Sequence, residues 1–264
     1  MDLGLKGKTA VVTGGSKGIG FSIAQTFLQE GANVAICARD QKQLEEAAAE
    51  LAPYGQVMAV ALDASDDTQV YDFARQVYER FGSIDCWVNN VGASAQRKGE
   101  EYTDDQIDWI VNVCFKSAIY GCQAAFRYMK HTGGSIVNIS SLAARCGTVG
   151  RSTLYGPLKS AVANLATMYA GEYAAYGVRV NAVLPGFTLT PAVARTIPDE
   201  ELERNAQGTL LHRPAQPEEI AAAVVFLCGN RASYITATTL EVSGGRSVVL
   251  NPSYSYDQRT ALQD

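Results

Sequence analysis

Thr9-Ala10-Val11-Val12-Thr13 runs directly into Gly14-Gly15-Ser16-Lys17-Gly18-Ile19-Gly20, and a helical pattern begins at once with Phe21-Ser22-Ile23-Ala24. A β-branched apolar run, a glycine turn and an amphipathic helix, in that order, open a strand–helix–strand unit of the kind that holds a dinucleotide. Glycines permit positive φ and let backbone amides approach a ligand. The start of the helix adds a partial positive charge, so the turn suits a pyrophosphate. The spacing is Gly-x-x-x-Gly-x-Gly rather than Gly-x-Gly-x-x-Gly, so position in the unit carries the reading more than the pattern does.

Along the rest of the chain, short Val/Ile/Ala-rich runs at 9–13, 33–38, 57–62, 84–89, 135–140, 179–184 and 239–242 alternate with stretches of helical period at 21–30, 43–51, 67–81, 105–130, 153–176 and 218–227. The first six runs are nearly continuous in apolar residues, which predicts strands covered on both faces. The alternation predicts an α/β chain, a doubly wound parallel sheet of about seven strands with helices on both faces. No linker or repeat divides residues 1–264, so a single domain is expected. Residues 187–216 are long for a loop and are expected to form a substrate lid. The tail, 246–264, is polar and without clear period, and is expected to fray or to pack on a neighbouring subunit.

The chain of 264 residues is 47 % apolar and 19 % charged, the composition of an ordinary globular protein. Its net charge of −5 argues against nucleic acid or an anionic membrane as partner. No run approaches the roughly 20 apolar residues of a membrane span, and residues 1–8 lack a signal-peptide apolar stretch. A soluble, cytoplasmic protein is expected. The six cysteines include no Cys-x-x-Cys pair and stand apart from both histidines, so neither a disulfide framework nor a metal site is expected.

The end of the second run selects the dinucleotide. An acidic residue there would accept hydrogen bonds from the ribose hydroxyls, but here Ala38 is followed by Arg39. Arginine pairs with a 2′-phosphate, and Lys17 adds a second positive charge. Asp40 is read as the N-cap of the next helix, with Gln43 completing a capping box. NADP(H) is therefore expected in preference to NAD(H).

Tyr155 and Lys159 stand one helical turn apart, which places their side chains on one face. A tyrosine with its ordinary pKa near 10 is a poor base at neutral pH. An ammonium about 4 Å away, at an effective dielectric of about 20, favours the phenolate by about 4 kcal/mol, roughly three pKa units. Lys159 is thus expected to make Tyr155 titratable enough to exchange protons.

From about residue 5 to residue 245 the sequence resembles the short-chain dehydrogenase/reductase family. Residues 13–20 look like its cofactor turn, with Gly14, Ser16, Lys17, Gly18, Ile19 and Gly20 as the implied contacts and Arg39 after the second strand. Asp63 resembles the residue that contacts the adenine ring, and Ala64 beside it joins the cofactor set. Asn89-Asn90-Val91-Gly92 is similar to the family's Asn-Asn-Ala-Gly, with Asn90, Val91 and Gly92 toward the cofactor. Asn112 matches the asparagine that supports a water-mediated proton relay, and Ser141, Tyr155 and Lys159 match the serine, tyrosine and lysine that complete the tetrad. Pro185-Gly186 with Thr188 and Thr190 is similar to the segment on the nicotinamide side.

The resemblance implies a Rossmann-like fold and hydride exchange between the cofactor and a small carbonyl or alcohol. Tyr155 would serve as general acid or base, Lys159 would lower its pKa and bind the nicotinamide ribose, and Ser141 would hydrogen-bond the substrate oxygen. It implies a homodimer or homotetramer packed through two helices, 105–130 and 153–176, and the latter is apolar or small almost all round from Ser160 to Tyr176 apart from Glu172. An epimerase or lyase using the same tyrosine, or a non-catalytic dinucleotide sensor, are the alternatives.

Departures from the family pattern are equally specific. Ser141 to Tyr155 is one residue longer than expected, leaving Ser140 as the alternative serine. Gly156-Pro157 follows the tyrosine, so regular helix is expected to begin close to Tyr155. Thr188, Ala237 and Ser243 stand where a branched apolar residue, a glycine and an aspartate are expected. The substrate pocket is expected from 93–98, 142–154 and 187–212, with Arg97, Arg145 and Arg151 as solvated surface and Cys146 as a small lining residue.

Overall fold

The computed structural model describes residues 1–93, 101–147, 152–246 and 248–261. In chain order its main elements are β1 (Thr9–Thr13), α1 (Gly18–Gln29), β2 (Asn33–Ala38), α2 (Gln41–Leu51), β3 (Val57–Ala61), α3 (Asp67–Phe81), β4 (Cys86–Asn89), α4 (Asp104–Val111), α5 (Ser117–Met129), β5 (Gly134–Ile139), α6 (Tyr155–Tyr173), β6 (Val178–Pro185), α7 (Pro191–Thr196), α8 (Asp199–Gln207), α9 (Pro217–Cys228), β7 (Thr239–Val242) and α10 (Tyr254–Ala261). The strands form one parallel sheet in the order β3-β2-β1-β4-β5-β6-β7. β1 pairs with both β2 and β4, so the chain winds outward in two directions from the middle.

Alternate residues of each strand feed two apolar layers. Val12, Ile36, Val88, Val137 and Val183 pack against α1, α2 and α9. Val11, Ala35, Trp87, Ile136 and Ala182 pack against α3, α5 and α6. Residues on both sides of a central strand therefore lose water, which is why those strands read as unbroken apolar runs. β3 departs from this expectation. It is an edge strand whose Ala59 and Ala61 are exposed, because among the described residues no strand pairs beyond it.

Local signals place most helix ends. The Asp40 carboxylate accepts from the Gln43 N–H at the start of α2, and Asp66 does the same for Gln69 at the start of α3. Thr103 and Gln106 form a reciprocal capping box at α4. α6 begins at Tyr155, so Pro157 falls in its first turn, where its missing N–H costs nothing.

Three features go beyond the sequence reading. The stretch 105–130 is not one regular helix: α4 and α5 are joined by a π turn, Asn112–Lys116. Residues 187–216 are not an irregular loop, since they hold α7 and α8, short helices whose polar sequences carry little apolar period. Within the tail, residues 254–261 form α10, and Tyr256 reaches back onto residues 210–212 of the same chain.

Candidate active site

The carboxyl ends of the strands place the expected site residues along one edge of the sheet. The glycine turn follows β1, Arg39 follows β2, Asp63 and Ala64 follow β3, and Asn90 to Gly92 follow β4. Ser141 follows β5, and Gly186, Thr188 and Thr190 follow β6, which Pro185 closes. This edge, at the reversal of strand order between β1 and β4, is where open α/β sheets hold ligands.

Gly14 has φ of 66° and Gly18 of 56°, values that side chains resist, so the turn depends on glycine at both positions. The Asn90 amide braces it, donating to the carbonyls of Thr13 and Gly14 at 3.1 Å each. The Asn90 N–H donates in turn to Thr13 Oγ1 at 3.0 Å. Asn90 thus fastens the turn to the end of β4 rather than presenting a free amide. Lys17 stands at the N-cap of α1 without a side-chain cap, so among the described residues no side chain of the N-cap occupies the first-turn N–H groups. Open amides, two glycines in left-handed backbone and a helix N-terminus together fit a pyrophosphate.

Arg39 and Lys17 are exposed and form no ion pair among the described residues. Asp63 accepts from the N–H and hydroxyl of Ser65 at 2.9 and 2.7 Å, which orients its carboxylate, and Ala64 is buried behind it. Thr188 is buried and bonded to the Gly186 carbonyl at 3.2 Å, a polar link that the branched apolar residue expected there could not make. Thr190 caps α7 and lies against Gly18, so the segment leaving β6 passes directly over the glycine turn.

Tyr155, Lys159 and Ser141 converge. The Ser141 hydroxyl lies close enough to Tyr155 to favour its ionised form. The Lys159 ammonium lies 5.8 Å from the Tyr155 ring centre and donates to the Ile139 carbonyl at 2.9 Å. Gly92 leaves room for that ammonium, since a Cβ on Gly92 would come within 2.7 Å of Nζ. The two serines separate cleanly. Ser140 is buried, with its hydroxyl on the Lys159 carbonyl at 2.6 Å, whereas Ser141 is partly exposed and turns toward Tyr155. Asn112 opens the π turn, a helix defect that recurs at functional sites.

The electrostatics correct one expectation. Burial pushes Tyr155 up to about 12, against the opposing pull of Ser141. Burial also lowers Lys159 from its usual value. The expected lowering fails because both groups are desolvated, a property that sequence spacing does not carry.

Sequence reasoning missed Cys114, which sits two residues into the π turn, donates to the Ala93 carbonyl at 3.1 Å and lies within electrostatic reach of Tyr155 and Lys159. Nothing in its spacing marks it; the π turn brings it there. Of the pocket pieces, Arg145 is tied to Glu241 at 2.7 Å and Cys146 is half-buried, while Arg97, Arg151 and residues 94–98 and 148–151 lie outside the described residues. Among the described residues no helix is long and apolar enough to cross a membrane.

A sheet of this order with a glycine turn and a helix N-terminus at its switch point defines the doubly wound, nucleotide-binding class of α/β proteins. Comparison with known proteins narrows the class. A family model described as enoyl-(acyl carrier protein) reductase matches residues 14–247. A 3α-hydroxysteroid dehydrogenase of Mediterraneibacter gnavus is 35 % identical over 245 residues, which cover 91 % of this chain and 97 % of that protein. An uncharacterized oxidoreductase of Mycobacterium bovis is 35 % identical over 248 residues, covering 92 % of this chain and 98 % of its own. Among solved structures, the Pseudomonas aeruginosa RhlG/NADP active-site complex superposes with a TM-score of 0.86 at 30 % identity, covering 91 % of this chain and 96 % of that one. A short-chain dehydrogenase/reductase double mutant from Serratia marcescens gives 0.85 at 33 % identity, covering 91 % and 98 %. The chain belongs to the short-chain dehydrogenase/reductase family and is an oxidoreductase of that family, whose members bind a nicotinamide dinucleotide.

Proposed function

We propose that the chain transfers a hydride between NADP(H) and a small carbonyl or secondary-alcohol substrate, with Tyr155 as general acid in reduction and general base in oxidation. The observation that carries this reading is the convergence of Ser141 and Lys159 on Tyr155 beside the glycine turn. When bound, the cofactor supplies or accepts the hydride. Gly14, Ser16, Gly18, Ile19 and Gly20 would hold its pyrophosphate, Asp63 and Ala64 its adenine, and Val91, Gly92, Pro185, Gly186, Thr188 and Thr190 its nicotinamide half.

A pKa of about 12 keeps Tyr155 protonated at neutral pH, so it stands ready to donate to a carbonyl oxygen. Ser141 donates to the same oxygen as negative charge gathers on it. As the proton leaves, charge develops on Tyr155 while Lys159 still carries its own. The attraction between the two charges favours that step. The lysine thus acts on the developing phenolate, not on the resting phenol. Asn112, at the π turn, is assigned the relay that returns a proton. Reduction should therefore weaken as pH rises and the tyrosine proton is lost, and oxidation should strengthen.

Arg39 and Lys17, both exposed and without an acidic partner among the described residues, support a 2′-phosphate, while Asp40 is engaged in capping α2. The RhlG neighbour is an NADP complex, and the Mediterraneibacter relative is named for dehydrogenation of a hydroxysteroid, which supports the alcohol/carbonyl reading. The exposed Met168 of α6 and Trp109 of α4 support a homodimer or homotetramer packed through these helices.

The test is a panel of ketones and aldehydes run with NADPH and NADH in parallel, on the parent protein and on Tyr155→Phe. Loss of reduced-nicotinamide absorbance should favour NADPH and fall by about 10² or more in the variant, with cofactor affinity nearly unchanged. Full activity in Tyr155→Phe, no turnover on any carbonyl, or a strong NADH preference would each overturn part of the reading.

A further inference from the structure

The family match stops at residue 247, and beyond it Ser253 and Tyr256 turn back onto the molecule. The segment 187–216 is closed at its neck: Leu189 N–H donates to the Ala215 carbonyl at 2.8 Å and Ala215 N–H to the Phe187 carbonyl at 2.9 Å. One limb rests on Gly18 through Thr190, and the other is braced to α9 by the Arg213–Glu219 pair at 2.7 Å. The far end, 205–212, is held from elsewhere. Leu210 N–H donates to the Gly244 carbonyl at 2.8 Å, and Arg246 donates to the Asn205 carbonyl at 3.0 Å.

The tail supplies the last attachment. The Tyr256 ring stacks on His212 with centres 3.7 Å apart and planes 10° from parallel, and its hydroxyl donates to the Leu210 carbonyl at 3.0 Å. Ser253 Oγ lies 3.4 Å from His212 Nε2. His212 itself has φ of 47°, a left-handed conformation that a non-glycine residue holds only when its surroundings impose it. α10 is eight residues long and polar, and Tyr254, Ser255, Asp257, Gln258 and Arg259 are exposed. So short a helix does not hold itself in water. It and the 210–212 turn order each other.

We propose that the tail is a clasp on the 187–216 segment, with Tyr256 and His212 as positioning residues that set how tightly the segment holds the substrate. The proposal rests on reading that segment as the substrate cover. The clasp touches neither the glycine turn nor Tyr155, so its effect should fall on the substrate and not on the cofactor.

Three proteins test it: Tyr256→Ala, Tyr256→Phe and a chain ending at residue 250. Amide hydrogen exchange of residues 205–213 should quicken roughly threefold to tenfold in Tyr256→Ala and in the shortened chain, the range of one aromatic contact. Tyr256→Phe, which keeps the stack, should stay near the parent. The KM for carbonyl substrate should rise by a similar factor in the first two, with kcat and the KM for NADPH within twofold. Unchanged exchange would overturn the clasp whether or not the protein reduces a carbonyl. Faster exchange with unchanged substrate KM would overturn its role in holding substrate. Equal changes in substrate and cofactor KM would show a general loosening and overturn it too.

Discussion

Ser140 and Ser141 are neighbours with the same side chain, and their surroundings assign them opposite work. Ser140 ties β5 to α6 through the Lys159 carbonyl, and Ser141 meets Tyr155. Ser141→Ala should cut kcat for carbonyl reduction by about 10² with little change in Tm, whereas Ser140→Ala should cost about 1 kcal/mol of stability for the lost buried hydrogen bond. Steady-state kinetics and thermal melts on the two variants check this, and the reverse pattern would exchange their roles. Ala237 makes a second residue-scale case. It stands where glycine is expected and has φ of 57°, a conformation that burdens any residue with a Cβ. Ala237→Gly should therefore stabilise the protein, by about 0.5–1 kcal/mol after the added entropy of the unfolded chain is subtracted. A thermal melt should show Tm rising roughly 1–4 °C. A fall would mean that the methyl group packs better than its strain costs.

At the scale of elements, helix propensity and packing make opposite predictions for α5. Gly121 lies inside this helix, where alanine would ordinarily gain about 1 kcal/mol. A Cβ there would stand 2.7 Å from Trp87 Nε1 and closer still to Asn89 Oδ1. These atoms belong to a buried network in which the Trp87 N–H donates to Asn89 at 2.8 Å and Asn89 donates to Asn138 at 2.8 Å. Overpacking a rigid strand–helix contact costs about 1–3 kcal/mol beyond any propensity gain, so Gly121→Ala should lower the denaturant midpoint. A raised midpoint would show that α5 moves off β4 at little cost. The π turn is another element-scale feature. Its residues, Asn-Val-Cys-Phe-Lys, carry ordinary helical composition, so nothing local marks the defect.

The whole molecule is joined at the amino edge of its sheet by Asp85. Its carboxylate accepts from Lys8 Nζ and the Thr9 N–H at 2.9 Å each and from Ser83 at 2.7 Å. Burial opposes the charged form, yet these donors together hold the carboxyl below its usual range. Its contribution to stability is thus present above the unfolded value of about 3.9 and is lost as pH falls through the lower folded value. Lys8 is raised by its bond to Asp85 and carries the opposite sign: its share is present below about 10.4 and is lost as pH rises through the folded value. Asp85→Asn should therefore cost about 2 kcal/mol between roughly pH 5 and 9, with the difference shrinking below about pH 4. Urea titrations of both proteins across pH measure it, and a pH-independent difference would remove the charge from the explanation.

The order of residues along the chain was enough to specify the sheet, its strand–helix rhythm, the glycine turn, Arg39 in place of an acid, and Tyr155 with Lys159 on one helical face. Each of these is written in residues close together along the chain, where backbone geometry and period decide the outcome. Packing in three dimensions was needed to settle which serine faces Tyr155, that Asn90 braces the turn, that β3 lies half-exposed at the edge, and that the tail rests on residues 210–212 of its own chain. It also raised Tyr155 and lowered Lys159, because desolvation depends on everything packed around a group and not on the spacing between two of them.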